Sequence, residues 1–228
     1  MNKKSGKAAV LWTGGKDSSL ALYEAHLLGY EITHLATFVP TEKPEFLAHP
    51  VSFMKYQAEA LGLPHLTLEI TEPFKESYEK AIQLLKEKYG VTALITGDIA
   101  EVNGAPNWIR ECSKFSGMDV LTPLWKWERI DIINRLISCK FKVIFSCVKK
   151  PWFTNDWVGM EINPDSLEKL RELSGKTGLD ICGEQGEYHT LVLDGPLFKK
   201  SIHITADGKL VKDHLMYIDI QKAVLQEK

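Results

Sequence analysis

The sequence has 228 residues and a formal net charge of −2, with 25% charged and 44% hydrophobic residues. These values are typical of a globular protein, and the length favours one domain followed by a smaller one. The charge does not favour nucleic-acid binding, no apolar run has the length of a membrane span or secretory signal, and the four cysteines form no C-x-x-C pair, so we expect a cytoplasmic protein.

The first half alternates strand and helix signals. Short apolar runs predict strands, and apolar positions repeating on one face predict helices. The predicted strands are residues 8–12, 31–39, 65–70 and 92–96, and the predicted helices are residues 20–28, 51–61, 73–89 and 106–115. Helices between strands form parallel β-α-β units, so we predict a doubly wound parallel α/β sheet with ligands at the carboxyl ends of its strands.

A polar segment with two glycines joins the first predicted strand to the first helix. Its residues are Thr13, Gly14, Gly15, Lys16, Asp17, Ser18 and Ser19. The glycines allow backbone N–H groups at a helix N-terminus to converge on an anion, and Lys16 adds a full positive charge. The segment therefore predicts phosphate binding, with Asp17 as a helix cap or a magnesium ligand. An ordinary turn capped by Asp17 is the alternative.

Gly97 and Asp98 follow the fourth predicted strand. Because the carboxyl ends of parallel strands lie at one edge of a sheet, we expect Asp98 to face the same crevice as Lys16. Asp98 is then a second candidate magnesium ligand beside Asp17, and a helix or turn cap is its alternative role. Phe38, in the second predicted strand, completes the residues that we expect to contact a nucleotide.

The second half is less regular and predicts a smaller α+β domain. We place the two domains at residues 1–126 and 127–228. The predicted elements of the second are a helix at 130–137, a strand at 142–148, a helix from Asn163 to Gly175, and two antiparallel strands, 201–205 and 216–220, around a turn at 207–208.

Two carboxylates and an imidazole lie within six residues in the second half: Glu184, Glu187 and His189. Such a group can bind a metal, act as a general base, or hold an ammonium ion while taking its proton. No H-E-x-x-H or other spaced partner favours zinc. A surface turn of solvated acids is the alternative, although neighbouring glycines indicate a close backbone approach.

Residues 13–18 resemble the S-G-G-K-D-S signature of the PP-loop ATP pyrophosphatases, with Thr13 in place of serine. The resemblance extends along the chain to the diphthine–ammonia ligase family. The matching segments are residues 57–64, 97–99, 123–125, 183–190 and 193–198. Two departures are Gln185, where glycine is common, and residues 149–153, which replace part of a more typical segment.

The resemblance implies an adenine nucleotide alpha hydrolase-like (HUP/PP-loop) fold and an ATP-dependent carbon–nitrogen ligase. A substrate carboxylate attacks the α-phosphorus of ATP, magnesium pyrophosphate leaves, and free ammonia displaces AMP. The catalytic residues expected are Lys16, Asp17, Glu184, Glu187 and His189.

The resemblance leaves the substrate open between diphthine on translation elongation factor 2 and another carboxylate. Alternative interpretations are a PP-loop sulfur transferase acting on tRNA and a non-catalytic nucleotide-binding module like the universal stress proteins. The −2 charge and the cysteine spacing argue against the first alternative, and residues 16–18 with the glutamates argue against the second. We expect no membrane or nucleic-acid partner, and a homodimer stays open.

Overall fold

A computed structural model describes residues 6–42, 46–101 and 107–228. In chain order the elements are β1 (Lys7–Leu11), α1 (Lys16–Leu27), β2 (Glu31–Pro40), α2 (Val51–Leu61), β3 (His65–Ile70), α3 (Phe74–Tyr89), β4 (Ala93–Ile95), α4 (Trp108–Ser113), β5 (Asp119–Leu121), α5 (Arg129–Ser138), β6 (Lys142–Lys149), α6 (Pro164–Thr177), β7 (Tyr188–Asp194), β8 (Lys200–Lys212) and β9 (Leu215–Glu227), with a 3₁₀ turn at Asn155–Trp157.

The chain forms two compact units. The first unit comprises Met1–Thr13, Asp17–Glu45 and Leu63–Lys126, and the second comprises Gly14–Lys16, Phe46–Gly62 and Trp127–Lys228. The second unit thus includes Gly14–Lys16, at the start of α1, and the whole of α2, both of which we had placed in the first domain. The predicted domain boundary itself stays a prediction.

The first unit contains a parallel sheet with strand order β3-β2-β1-β4-β5. The predicted parallel α/β class is therefore confirmed. We did not predict β5, because a strand of three residues is too short to show a period. Ala8, Ala9 and Val10 of β1 have no exposed surface, as expected for a central parallel strand covered on both faces.

The sheet of the first unit is covered on one face by α3. Ile82 and Leu85 of this helix are fully buried against Leu68, Ile70 and Leu94 of the strands. Each such side chain stabilises the fold by about 1.5–3 kcal/mol. The predicted helix end is confirmed, because Gly90 adopts a left-handed conformation with φ 67° and its N–H bonds to Lys86 and Leu85 carbonyls.

The second unit contains an antiparallel sheet with strand order β7-β6-β9-β8. The central strand β6 is buried along Val143–Val148. The helix α2 packs against β8 and β9. An antiparallel sheet with helices agrees with the predicted α+β class.

Two predicted boundaries in the second unit are wrong. The helix α6 runs past Gly175 to Thr177 and ends at Gly178, which adopts φ 74°. The turn between β8 and β9 lies at Asp213 and His214, whereas residues 207–208 lie inside β8 at a register shift. A glycine with positive φ fits a β-bulge as well as a hairpin turn, so the local sequence did not distinguish them.

Among the helices in the described parts of the chain, none combines the length and the apolar character needed to cross a bilayer.

The start of α6 provides a test of local stability. Asn163 accepts a hydrogen bond from Ser166 N–H, and the Asn163 N–H donates to Ser166 Oγ, each at 2.9 Å. We expect Asn163→Ala to lower the free energy of unfolding by about 1 kcal/mol in urea denaturation, because alanine removes the side-chain acceptor of the Ser166 N–H. The matched control is Asn134→Ala on exposed α5 surface, which should be neutral or slightly stabilising. Equal losses in the two variants would contradict the capping role.

Candidate functional site

The loop between β1 and α1 is shaped by what packs on its two glycines. Gly14 adopts φ 77°, and a Cβ there would lie 2.4 Å from Gln57 Oε1. A Cβ on Gly15 would lie 3.1 Å from His49 Cε1 and 3.3 Å from the Thr190 carbonyl oxygen. Both glycines are therefore needed to let other parts of the second unit approach the loop.

Hydrogen bonds from α2 and β7 hold the loop in place. The Gln57 amide donates to the carbonyl oxygens of Gly14 and Val192, both at 2.8 Å. Val192 N–H donates to the same Gly14 oxygen at 3.1 Å, and Lys16 N–H donates to Thr190 Oγ1 at 3.0 Å. The loop conformation is thus fixed by residues 43 or more positions away in sequence.

The first turn of α1 carries the polar residues predicted to bind phosphate. Lys16, Ser18 and Ser19 are buried, whereas Thr13 is exposed and its hydroxyl lies 3.2 Å from Ser18 Oγ. Within the described residues, Ser19 Oγ is buried without a hydrogen-bond partner. The N-terminal N–H groups of a helix lack intrahelical acceptors, so hydroxyls and N–H groups here can bind an anion.

The charge of Lys16 is held inside the second unit. Its side chain is 3% exposed, and Nζ lies 5.6 Å from the centre of the Tyr188 ring. A cation over an aromatic face is stabilised by the ring quadrupole, which offsets part of the cost of removing the charge from water. A buried cation at the start of a helix is well suited to bind an anionic group.

Asp98 and Asp17 lie in the same part of the first unit. A Cβ on Gly97 would lie 2.7 Å from Asp17 C and 2.8 Å from Ser18 N, so the turn after β4 abuts the start of α1. Asp98 Oδ2 accepts hydrogen bonds from Thr96 Oγ1 at 2.6 Å and Asn107 Nδ2 at 2.5 Å. Asp98 therefore links Thr96, which follows β4, to Asn107, the N-cap residue of α4.

The two aspartates are not part of a larger metal-ligand cluster in the described residues. Across these parts of the chain, no group of three or more His, Cys, Asp or Glu side chains is arranged to hold a metal ion. Two carboxylates beside a phosphate site suit Mg²⁺, which takes further ligands from phosphates and water. Magnesium binding by Asp17 and Asp98 stays a prediction.

Phe38 packs into the apolar core of the first unit. Its ring lies 4.8 Å from that of Tyr78, and the Tyr78 ring lies 6.0 Å from that of Trp108, which is 46% exposed. This packing accounts for an aromatic residue at position 38 without a ligand. The predicted contact between Phe38 and a nucleotide stays a prediction.

Glu187 and Glu184 differ sharply in their surroundings. Glu187 is 2% exposed, and its two carboxylate oxygens accept the N–H groups of Asp180 at 3.0 Å and Gln185 at 2.9 Å. Glu184 is exposed. Glu187 thus holds the turn before β7, so a role as proton acceptor would compete with these two hydrogen bonds.

His189 forms a pair with a residue that the sequence did not point to. His49 Nε2 lies 3.3 Å from His189 Nδ1, and the two rings meet edge to face. Burial, and then the nearby charges of His189 and Lys16, lower the pKa of His49 to about 3. The His49 ring is therefore neutral at neutral pH.

Sequence reasoning overlooked His49 because it lies between the predicted strand 31–39 and the predicted helix 51–61 and belongs to neither. Gln57 was noted only as part of a resemblance, although a glutamine with no exposed surface on an apolar helix face needs hydrogen-bond partners. That polarity was the available signal for Gln57. For His49 we find no comparable local signal.

Comparisons with known proteins assign the chain to a family. A family model described as diphthamide synthase N-terminal domain matches residues 6–120, and one described as diphthamide synthase C-terminal domain matches residues 128–226. The protein named diphthine–ammonia ligase from Bos taurus is 30% identical over 223 residues, covering 86% of this chain and 82% of the relative.

The chain belongs to the diphthine–ammonia ligase family. Proteins of the same name from Danio rerio and Homo sapiens are 30% and 29% identical, covering 88% and 90% of this chain and 87% and 85% of the relatives. The family predicted from the sequence motifs is therefore confirmed. The roles of individual site residues stay predictions.

The buried carboxylate of this family member can be tested by its effect on stability. We expect Glu187→Gln to lower the free energy of unfolding by about 1–3 kcal/mol, because the amide NH₂ would face a backbone N–H that loses its acceptor. Urea denaturation measures this difference. The matched control is the exposed Glu184→Gln, which should change stability by less than about 0.5 kcal/mol. If both variants kept the wild-type stability, Glu187 would not hold the turn.

Proposed function

We propose that the chain is an ATP-dependent, amide-forming ligase that adenylates a carboxylate and transfers ammonia to it, with release of AMP and pyrophosphate. The observation that carries the proposal is the buried Lys16 at the first position of α1, directly after Gly14 and Gly15. The chain also matches proteins named diphthine–ammonia ligase over more than four fifths of the length of those proteins.

The residues present fit the phosphates of ATP. The N–H groups of Asp17 and Ser18 are in the first turn of α1, where helix geometry provides no intrahelical acceptor. The hydroxyl of Ser19 is buried without a hydrogen-bond partner among the described residues. Lys16 N–H donates to Thr190 Oγ1, so we propose the Lys16 ammonium, the Ser19 hydroxyl and the positive end of the helix dipole as the groups that bind phosphate.

Positive charge near the loop would stabilise the transition state of the proposed reaction. Negative charge develops on pyrophosphate as it leaves, so fixed N–H dipoles and the Lys16 ammonium stabilise the transition state more than the ground state. Asp17 and Asp98 would hold Mg²⁺, which supplies charge neutralisation at the phosphates when bound. The buried position of Lys16 strengthens its electrostatic effect, because less water screens the charge.

The glutamates of the second unit are proposed to serve the ammonia step. An ammonium ion is attracted by carboxylates and must lose a proton before its nitrogen can attack. Glu184 is exposed, whereas both oxygens of Glu187 accept backbone hydrogen bonds. We therefore assign the direct contact with ammonium to Glu184 and the shape of the turn to Glu187.

The proposed substrate is a carboxylate, and diphthine on translation elongation factor 2 is the first candidate because the relatives carry the name diphthine–ammonia ligase.

The sulfur-transferase alternative gains no support from the cysteines. Burial raises the pKa of Cys147 to about 12 and raises the pKa of Cys112. These thiols are protonated at neutral pH and are poor nucleophiles.

ATP binding is tested by thermal stability. ATP with Mg²⁺ should raise the melting temperature of the wild type, because a ligand that binds only the folded state stabilises it. Lys16→Ala should lose most of this shift, and the exposed Lys55→Ala on α2 is the matched control that should keep it. Equal shifts in wild type and Lys16→Ala would remove Lys16 from the nucleotide site.

The reaction class is tested by products and by partial reactions. With a carboxylate substrate and ammonium, chromatography should detect AMP and pyrophosphate, and ADP with phosphate would refute the proposed class. Glu184→Gln should retain substrate-dependent exchange of labelled pyrophosphate into ATP but lose most amide formation, because only ammonium handling is removed. The exposed Glu168→Gln on α6 should retain both. Loss of exchange in folded Glu184→Gln would place Glu184 at the carboxylate or nucleotide instead.

A further inference from the structure

His49 lies between the phosphate loop and β7 within the second unit. Its Cε1 would be 3.1 Å from a Cβ on Gly15, and its Nε2 is 3.3 Å from His189 Nδ1. The ring therefore leaves no room for a side chain at residue 15 and is within hydrogen-bond distance of a predicted site residue. None of the roles described above uses this residue.

Only one of the two nitrogens of His49 can have a hydrogen-bond partner among the described residues. Nδ1 is inaccessible to solvent and has no partner in these parts of the chain, whereas Nε2 faces His189. Burial, His189 and Lys16 keep the His49 pKa at about 3, so the neutral ring carries a single N–H. Buried N–H groups without an acceptor are rarer than buried acceptors without a donor.

This asymmetry determines the direction of the hydrogen bond. A proton on His49 Nδ1 would be a buried donor without an acceptor, whereas a proton on Nε2 can be donated to His189. His189 Nδ1 is then the acceptor and carries no proton. The proton of the His189 ring must therefore be on Nε2.

We propose that His49 is a positioning residue that fixes the tautomer of His189, with His189 Nδ1 as the acceptor and the ring proton on Nε2. With Nδ1 engaged by His49 and a proton already on Nε2, neither nitrogen of His189 can take a proton from ammonium. We therefore assign His189 to the adenylation step and not to ammonium, an assignment that rests on the proposed ligase function.

The tautomer is measured directly by nitrogen NMR of protein labelled with ¹⁵N-histidine, with the His189 signals assigned from their loss in His189→Gln. In the wild type we expect protonated Nε2 and unprotonated Nδ1 for His189. His49→Phe keeps a ring against Gly15 but removes the donor, so the His189 signals should shift toward a mixture of tautomers. His49→Gln supplies an amide N–H and should restore the wild-type pattern.

Activity gives a second readout with the same variants. ATP–pyrophosphate exchange should fall by about 10- to 100-fold in His49→Phe, as for other groups that orient a functional imidazole, and should recover in His49→Gln. The exposed His26→Gln on α1 is the matched control and should behave as wild type.

Protonated Nδ1 on His189 in the wild type would overturn the inference. So would unchanged His189 signals in folded His49→Phe, or a His49→Gln variant as impaired as His49→Phe. The nitrogen spectra decide the tautomer without ATP. A wild type that shows the expected tautomer but no exchange with any carboxylate would therefore refute the proposed function and leave the role of His49 supported.

Discussion

The side-chain amide of Gln57 is the interaction on which the loop of the second unit depends. It has no exposed surface, and its NH₂ group donates to the carbonyl oxygens of both Gly14 and Val192. A buried amide that loses such partners costs about 1–3 kcal/mol, so helix α2, the loop and strand β7 are fixed together. The close approach of this amide is also the reason that residue 14 must be glycine.

One carboxylate in each unit also accepts hydrogen bonds that order the residues around it. Buried Glu187 accepts two backbone N–H groups in the turn before β7, and half-buried Asp98 accepts hydrogen bonds from the side chains of Thr96, after β4, and Asn107, before α4. Carboxylates that order a backbone turn keep neighbouring groups in fixed positions, which a reaction that depends on oriented charges requires. The carboxylates that we predicted from the sequence to be catalytic or metal-binding thus also have a structural role.

Much of the fold followed from local patterns in the sequence. The bounds predicted for α2 and β3 agree with the structure, because the helix ends at Gly62 and the strand begins directly after Pro64. The prediction failed where length or tertiary pairing decided the outcome. Three-residue β5 is too short for a period, and Gly208 forms part of a bulge because β8 continues to pair with β9 beyond it.

The sequence by itself determined the family, the parallel α/β class and the polar segment at the start of α1, because these depend on residue types at adjacent positions. It also identified Glu184, Glu187 and His189 as a group, since they are close along the chain. Only the tertiary structure paired His49 with His189, buried Glu187 and exposed Glu184, and brought Gln57 to Gly14. Those contacts join residues 43 to 140 positions apart or depend on burial, and no local pattern encodes either.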